Sequence, residues 1–455
     1  MTAVVESSHA SPSPLYRWLR RWQFGLNLFL ALAALVLGTF VVRRAFLLLL
    51  LVPIAFVPFS YARLRFHIYL EQFRKASPRV APLFFLLFGV GILLDCVTVA
   101  QLLTARSGSD VPILYGTGVS WVGAIWFSAH GLLFIGYTLL GFGRLSRRAL
   151  RWAWYYKRDQ SEGFSMVPVS PERRQFLQQL GVLGAGVPFF LSFSGVKLSY
   201  DFRVEEREIV LPHWPPALDG LRVAHLSDIH VGGAMNRARL LRVVALTNAA
   251  QPDLVVHTGD FLTHRSGDFD APLYEALARI KAPYGQWACL GNHDLDDPER
   301  LVLQLQRVGV TTLRNSLITL SANGHPLEIA GIDFLFGPLG TGGKRYADIV
   351  RSWGPRSPVP RLLLNHDPRG FSALPHGCAD LVLSGHTHGG HVGVQLGRDH
   401  AITVVGLCGI PDQGLFWRGD MRLFITRCVG FYGYPMRLGI PPEIALLTLR
   451  SPRDS

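Results

Sequence analysis

Cysteine is scarce in this chain and shows no pattern. Cys96, Cys289, Cys378, Cys408 and Cys428 are all that 455 residues contain. None are spaced Cys-x-x-Cys, which leaves out a cysteine-built zinc module and a dense disulfide framework. One bridge among the last four stays open if they face an oxidising compartment. Acidic side chains are short in the first half: residues 1–200 hold 7 against 20 basic ones, whereas residues 201–455 hold 25 of each. The net charge of +13 therefore belongs to the first half. There it flanks apolar stretches, as a membrane-orientation signal does, and this speaks against a nucleic-acid-binding surface. The chain is also longer than one hydrophobic core usually serves, so two regions are expected, 1–200 and 201–455.

Long uncharged apolar runs fill the first region. A span needs roughly 20 apolar residues, and 22–42, 45–62, 80–104 and 119–142 qualify, with Pro53 and Pro58 as kink points in the second. A fifth, weaker stretch at 176–196 follows Arg173-Arg174-Gln175-Phe176-Leu177. That pattern is like a twin-arginine export signal, or else a pair of cytoplasmic anchors for an uncleaved fifth helix. Segments 63–79 and 143–174 are rich in Arg and Lys, while 105–118 has only Arg106 and Asp110. The positive-inside rule puts the first two in the cytoplasm and residues 197–455 on the outer face of a bacterial cytoplasmic membrane; Arg43-Arg44 dissent from a very short loop. Asp95 and His130 both fall about 13–17 Å deep on the same side, at 1.5 Å per residue, and are candidate partners for each other.

From Leu221 the pattern changes to short apolar strands alternating with amphipathic helices. Strands are expected at Leu221–Leu226, Asp253–His257, Gln286–Leu290, Arg361–Leu364 and Asp380–Leu383, with helices at Arg237–Ala250, Tyr274–Lys281 and Leu301–Val308. Leu317–Leu320 and Leu327–Ala330 read as a hairpin around Asn323-Gly324. This order signals an α/β architecture with functional groups at the carboxyl ends of strands. Five polar islands sit at those ends: Asp228-Ile229-His230, Gly259-Asp260, Gly291-Asn292-His293-Asp294, Asn365-His366-Asp367 and Gly385-His386-Thr387-His388. Singly, each has a plainer reading as a helix cap, a turn or a structural histidine. Together they offer enough oxygen and imidazole donors for two divalent ions side by side, a common arrangement for attack on a phosphate ester.

This motif set resembles the calcineurin-like metallophosphoesterase superfamily, and within it the YkuE-type bacterial membrane-associated branch. The resemblance runs over roughly residues 205–449, including the tail Gly430-Phe431-Tyr432-Gly433-Tyr434-Pro435-Met436-Arg437. It implies a four-layer αββα sandwich, here preceded by an all-α transmembrane bundle. It also implies one metal held by Asp228, His230, Asp260 and His388, and a second by Asp260, Asn292, His366 and His386, with Asp260 bridging. Manganese, iron or zinc suit those donors better than calcium. His293 would be the proton donor to the leaving group, and Asp294 would either orient His293 or cap a helix. Gly340-Thr341-Gly342-Gly343-Lys344 departs from a P-loop, since Pro338 and Arg345 stand where Gly and Ser/Thr belong. His391 is expected to pack beside the site, and Arg437 and Tyr434 to belong to a structural loop. The expected activity is phosphate mono- or diester hydrolysis on a membrane-proximal or lipid-linked substrate. Alternatives are a sugar-nucleotide lipid pyrophosphatase and a transporter or sensor bundle with a regulatory metal domain. The lipid bilayer and a phosphorylated small molecule or lipid are the expected partners, with no nucleic acid.

Overall fold

The computed structural model describes residues 186–452, apart from 233–234, 264–269, 337–341, 398–399 and 432–435, together with Ser170 and scattered positions between 125 and 150. The expected spans 22–42, 45–62 and 80–104 lie outside the described residues, as do Asp95, Arg173 and Arg174, and spans 119–142 and 176–196 are described only in part. Among the described residues no helix is long and apolar enough to cross a membrane. His130 is buried, with its ring edge-on to Phe189 at 5.6 Å. Cys289, Cys378, Cys408 and Cys428 are all free thiols.

Two six-stranded sheets form the second region. The first runs β1 (Arg203–Val210), β14 (Glu443–Arg450), β2 (Leu221–Leu226), β3 (Leu254–His257), β4 (Gln286–Ala288), β5 (Val310–Thr312). The second runs β12 (Gly414–Arg418), β13 (Met421–Ile425), β9 (Leu381–Ser384), β8 (Arg361–Asn365), β7 (His325–Ile332), β6 (Ser316–Ala322). Both are mixed. β2 to β5 are parallel, as are β7, β8, β9 and β13, while β14·β2, β6·β7 and β12·β13 are antiparallel.

The buried core explains the layering. Val223, Leu254 and Val256 of the first sheet pack in one cluster with Ile329, Leu362, Leu364 and Leu383 of the second, so these faces meet. On the other face of the first sheet, Ala224, Val255 and Ala288 meet Leu240, Val243 and Val244 of α1 (Arg237–Ala249), Leu273 of α2 (Ala271–Leu277) and Leu301 and Leu305 of α3 (Pro298–Arg307). The far face of the second sheet packs Leu363 and Val382 against Tyr346 and Ile349 of α4 (Gly342–Ser352). A helix layer thus covers the outer face of each of two stacked sheets. Strands buried on both faces need no alternation, which is why β3, β8 and β9 read as unbroken apolar runs.

Local expectations hold with small shifts. Asn236 caps α1 by accepting from Arg239 N at 3.1 Å. Asn323 and Gly324 take φ of 50° and 77° in the β6–β7 turn, as a type I′ hairpin requires. The helix expected at Tyr274–Lys281 begins three residues earlier and ends four residues earlier, at Ala271–Leu277. Pro272 pre-sets its first turn, and Lys281 N donates to the Asn248 side chain at 2.8 Å instead of continuing the helix.

Strands β1 and β14 join the two ends of the region in parallel, from Arg203 opposite Glu443 to Val210 opposite Arg450. Glu443 is buried where this pair meets the second sheet's loops. It takes Arg207 at 3.0 Å, Arg427 at 2.8 Å, and the Arg427 amide at 2.9 Å. Burial works against its charge, but the two guanidiniums hold its pKa below the ordinary 4.5. Glu443→Ala leaves two buried cations without their shared anion and should cost about 3–5 kcal/mol in urea unfolding. In the wild type this contribution is present above pH 4.5 and is lost as pH falls through the lowered value. A Glu443→Ala chain as stable as wild type would contradict the assignment.

Candidate metal centre

The polar islands leave the carboxyl ends of five strands, three in the first sheet and two in the second. Asp228 and His230 follow β2, Asp260 follows β3, Asn292 follows β4, His366 follows β8, and His386 and His388 follow β9. The backbone at these ends is reversed. Asp228, His230, Asp260, His386 and His388 all have positive φ, between 49° and 69°. That left-handed region costs a non-glycine residue free energy, and such residues gather at functional sites. Here the reversal turns successive side chains into one space.

Two donor groups converge. Asp228, His230 and His388 form one, and Asp260, His366 and His386 the other, with the ligand atoms of each within 4.8 Å of one another. Asp228 Oδ1 lies 3.2 Å from His388 Nε2 and 3.8 Å from His230 Nε2. Asp260 Oδ2 faces both groups, 3.5 Å from His230 Nε2 and 3.4 Å from His366 Nε2. The far ring nitrogens are committed to backbone carbonyls: His230 Nδ1 to Leu262 O at 3.3 Å, His366 Nδ1 to Thr258 O at 2.6 Å, and His388 Nδ1 to Gly430 O at 3.2 Å. Those bonds place the proton on Nδ1 and leave each Nε2 as a lone-pair donor. His386 inverts the pattern, with Nδ1 facing His366 Nε2 at 3.0 Å.

Two nitrogen lone pairs at that distance need a cation or proton between them. Asp228 Oδ1 and Asn292 Oδ1, both buried, accept no hydrogen bond, an arrangement that otherwise costs free energy. Burial opposes the charge on Asp228, but His388, His366 and His230 hold it well below the usual carboxylate range, and Asp260 is lowered for like reasons. Burial keeps His388 and His386 neutral, their pKa values lowered. Burial would also lower His366, yet Asp260 and Asp228 push it up to about 10. The two carboxylates therefore favour a positive charge at that point, and a divalent cation can replace the proton. The residues fit metal binding at both groups.

A second layer of residues holds these ligands. His225 Nε2, Thr258 Oγ1, Ser227 Oγ and Asp228 Oδ2 form a buried chain with links of 2.8, 2.7 and 2.5 Å, each donating to the next. The His386 amide at 2.9 Å and Cys428 Sγ at 3.1 Å also reach Oδ2. Oδ1 is thereby left for a metal. Asp294 lies buried beneath the site and accepts amides of Asp260 at 2.7 Å, Gly291 at 2.9 Å, Phe261 at 2.9 Å and Leu262 at 3.4 Å. It clasps the β3 and β4 loops together, a task the sequence did not suggest. Burial and the neighbouring Asp260 push its pKa up to about 7. His293 donates its backbone amide to Asp260 Oδ1 at 2.9 Å, and its half-buried ring meets that of His230 edge-on at 5.1 Å.

Arg437 is a structural clamp, completely buried and donating to His388 O at 3.0 Å and to Gly430 O and Cys428 O. Tyr434 lies outside the described residues. His391 packs beside His388, ring centroids 4.8 Å apart. Of the glycine-rich stretch that departs from a P-loop, Gly340 and Thr341 are outside the described residues and Lys344 lies in α4. Cys428 and the Ser227 chain were missed because Cys428 lies 200 residues from Asp228 and Thr258 lies 31 from Ser227.

Gly385 and Gly291 have no room for a side chain. A Cβ on Gly385 would overlap Ser227 Oγ and Asp228 Oδ2, and one on Gly291 would overlap Asp260 Oδ1. Gly385→Ala should therefore displace Asp228 and weaken metal binding by one or two orders of magnitude in competition with a chelator, while Ser227→Ala weakens it by ~10-fold or more. Unchanged metal affinity in both would refute the positioning role.

Comparison with known proteins agrees with this geometry. A family model described as calcineurin-like phosphoesterase matches residues 221–390. The uncharacterized metallophosphoesterase YkuE of Bacillus subtilis is 29% identical, over 61% of this chain and 98% of that protein. A Danio rerio protein named transmembrane protein with metallophosphoesterase domain is 30% identical, over 54% of this chain and 57% of its own length. Phosphodiesterase YaeI of Escherichia coli is 26% identical, over 50% of this chain and 82% of that protein. The chain carries a calcineurin-like metallophosphoesterase domain and is a metal-dependent hydrolase of phosphoester bonds.

Proposed function

We propose that this domain works as a dinuclear phosphodiesterase beside a membrane. The observation carrying the dinuclear reading is the position of Asp260 Oδ2, nearly equidistant from His230 at 3.5 Å and His366 at 3.4 Å. A shared carboxylate offsets repulsion between two neighbouring cations. Asp228, His230, Asp260 and His388 would hold one, and Asp260, Asn292, His366 and His386 the other, with manganese, iron or zinc suited to the mixed donors. Bound there, divalent ions would acidify a water and neutralise charge on the phosphate.

The chain's own residues supply the rest. Asp260 is held by Asp294's clasp on its amide and by the His293 amide on Oδ1. His293 sits at the edge of the site on the turn after Asn292. Burial, with His230 and His366 nearby, lowers its pKa, so its protonated form is a strong acid that can pass its proton to a leaving alkoxide. The name of the E. coli relative supports a diester as substrate. The apolar runs before residue 197 and the name of the Danio rerio relative support a membrane location. Together they support a phosphate on or near a lipid.

A panel of phosphoesters with the Mn²⁺-loaded full chain tests this reading. Asp260→Asn should lose metal and activity together. His293→Ala should keep its metal and lose rate by ~10²–10⁴ on alkyl diesters, but much less on p-nitrophenyl esters, whose leaving group needs no proton. An active Asp260→Asn enzyme would overturn the shared-carboxylate mechanism, and equal His293→Ala losses on both ester types would remove its role as acid. A periplasmic reporter fused after Val196 should be active; activity from a cytoplasmic reporter alone would refute the outer-face location.

A further inference from the structure

Just beyond the metal ligands the chain forms a small hairpin whose exposed face is made of the wrong residues for water. β10 (Gly393–Gln395) pairs antiparallel with β11 (Ala401–Thr403), and the short helix α5 (Val404–Leu407) follows directly. Val394 lies opposite Ile402, and Leu396 follows two residues after Val394, so the three share one face. With Val404 and Leu407 they are between 54% and 77% exposed. The opposite face is anchored. Thr403 is buried, caps α5 through the Gly406 amide at 2.9 Å and bonds Asp412. A hairpin with one solvated face normally turns polar residues outward; this one turns them inward and displays aliphatic side chains.

The hairpin is fastened both to the metal site and to the helix end 193–198. Val404 N donates to Val392 O at 3.2 Å, and the Gly393 and Leu438 amides donate to Leu438 O and His391 O, each at 2.9 Å. The neighbouring Arg437 donates its amide to Gly195 O at 3.1 Å and its guanidinium to His388 O at 3.0 Å. The helix end therefore bonds to the Arg437–Leu438 segment that borders the hairpin. On that helix Phe193 and, one turn later, Lys197 are both exposed. An aromatic followed by a lysine on one helix face is the arrangement of a membrane–water boundary, with the ring in the apolar layer and the ammonium among headgroups.

We propose that Val394, Leu396, Ile402, Val404 and Leu407 form an apolar rim that seats in the lipid bilayer surface beside the metal site, so that the enzyme takes its phosphate from a lipid headgroup. The occupant is the bilayer because the hairpin is tied, through the backbone bonds of Val392, Leu438 and Arg437, to a helix end that exposes Phe193 and Lys197, a composition of the membrane interface. The proposal rests on the membrane-proximal reading above and adds the surface that delivers the substrate. Seating an exposed aliphatic cluster in the acyl boundary stabilises attachment in proportion to the apolar area covered, and it brings a headgroup phosphate within reach of His386 and His388.

Cys408, exposed at the end of α5, is a reporter already in place, since Cys289, Cys378 and Cys428 are buried. The full chain carrying Cys96→Ser is labelled at Cys408 with an environment-sensitive fluorophore and reconstituted into vesicles of phosphatidylethanolamine and phosphatidylglycerol. The proposal expects the chain to float with the vesicles, the emission to shift blue, and spin-labelled lipid chains to quench it. A chain that floats while its probe is quenched by aqueous iodide and not by spin-labelled lipid overturns the rim and leaves the membrane reading intact. Shielding from iodide without lipid quenching assigns the surface to a second copy and also overturns it. A chain that does not float removes the membrane reading, and the rim with it. In a second arm, Leu396→Ser/Leu407→Ser should lower kcat/KM about tenfold on a phospholipid diester in those vesicles, equivalent to roughly 1.4 kcal/mol, with bis-p-nitrophenyl phosphate hydrolysis unchanged. Equal loss on both substrates, or on neither, contradicts it.

Discussion

Two ionised carboxylates buried among imidazoles are the constraint on which the rest of this structure depends. Asp228 and Asp260 are shut from solvent with four histidines around them, and protons alone balance that charge poorly. Buried charge of this kind is expensive unless a cation completes it. The surroundings are built for that completion. Carbonyl groups fix three histidine tautomers, three donors occupy Asp228 Oδ2, and the Asp294 carboxylate gathers amides from the loops after β3 and β4. The same arrangement explains why the backbone tolerates left-handed conformations at five ligands, each costing of order 1–3 kcal/mol.

The fold supplies the place for this concentration of strain and charge. Parallel strands of both sheets end at the same edge, so β2, β3 and β4 from one sheet and β8 and β9 from the other deliver side chains to one volume. The apolar faces between the sheets keep those ends in register. The buried cluster around Glu443 ties the returning C-terminal strand to β1 and to the loop carrying Arg427 and Cys428, which touches Asp228. Stability and site geometry therefore share residues in this part of the molecule.

Much of the site was legible in the sequence because its parts are local. Each ligand follows its own apolar strand within a few residues, and the Asn323-Gly324 turn announces its hairpin. The resemblance to calcineurin-like enzymes divided the ligands into two sets, and the two donor groups in the structure fall within that division. What was not legible is contact between segments remote in sequence. Strands β1 and β14 come from opposite ends of the region, and only their pairing shows Glu443 as a buried anion. Asp294 reads as a cap or an orienting partner for His293 until the β3 loop is seen lying over it. Cys428 carries no motif and is separated by 200 residues from the Asp228 it touches. Positive φ at Asp228 or His386 likewise leaves no mark beyond the residue types that tolerate it.

On the function proposed above, one shared carboxylate, Asp260, would hold two metal ions in a single site. Electron paramagnetic resonance of the full chain loaded with Mn²⁺ addresses it directly. Two ions sharing that carboxylate would be exchange-coupled, so the spectrum of a coupled pair is expected at two equivalents of manganese. An uncoupled six-line signal persisting through saturation would contradict it.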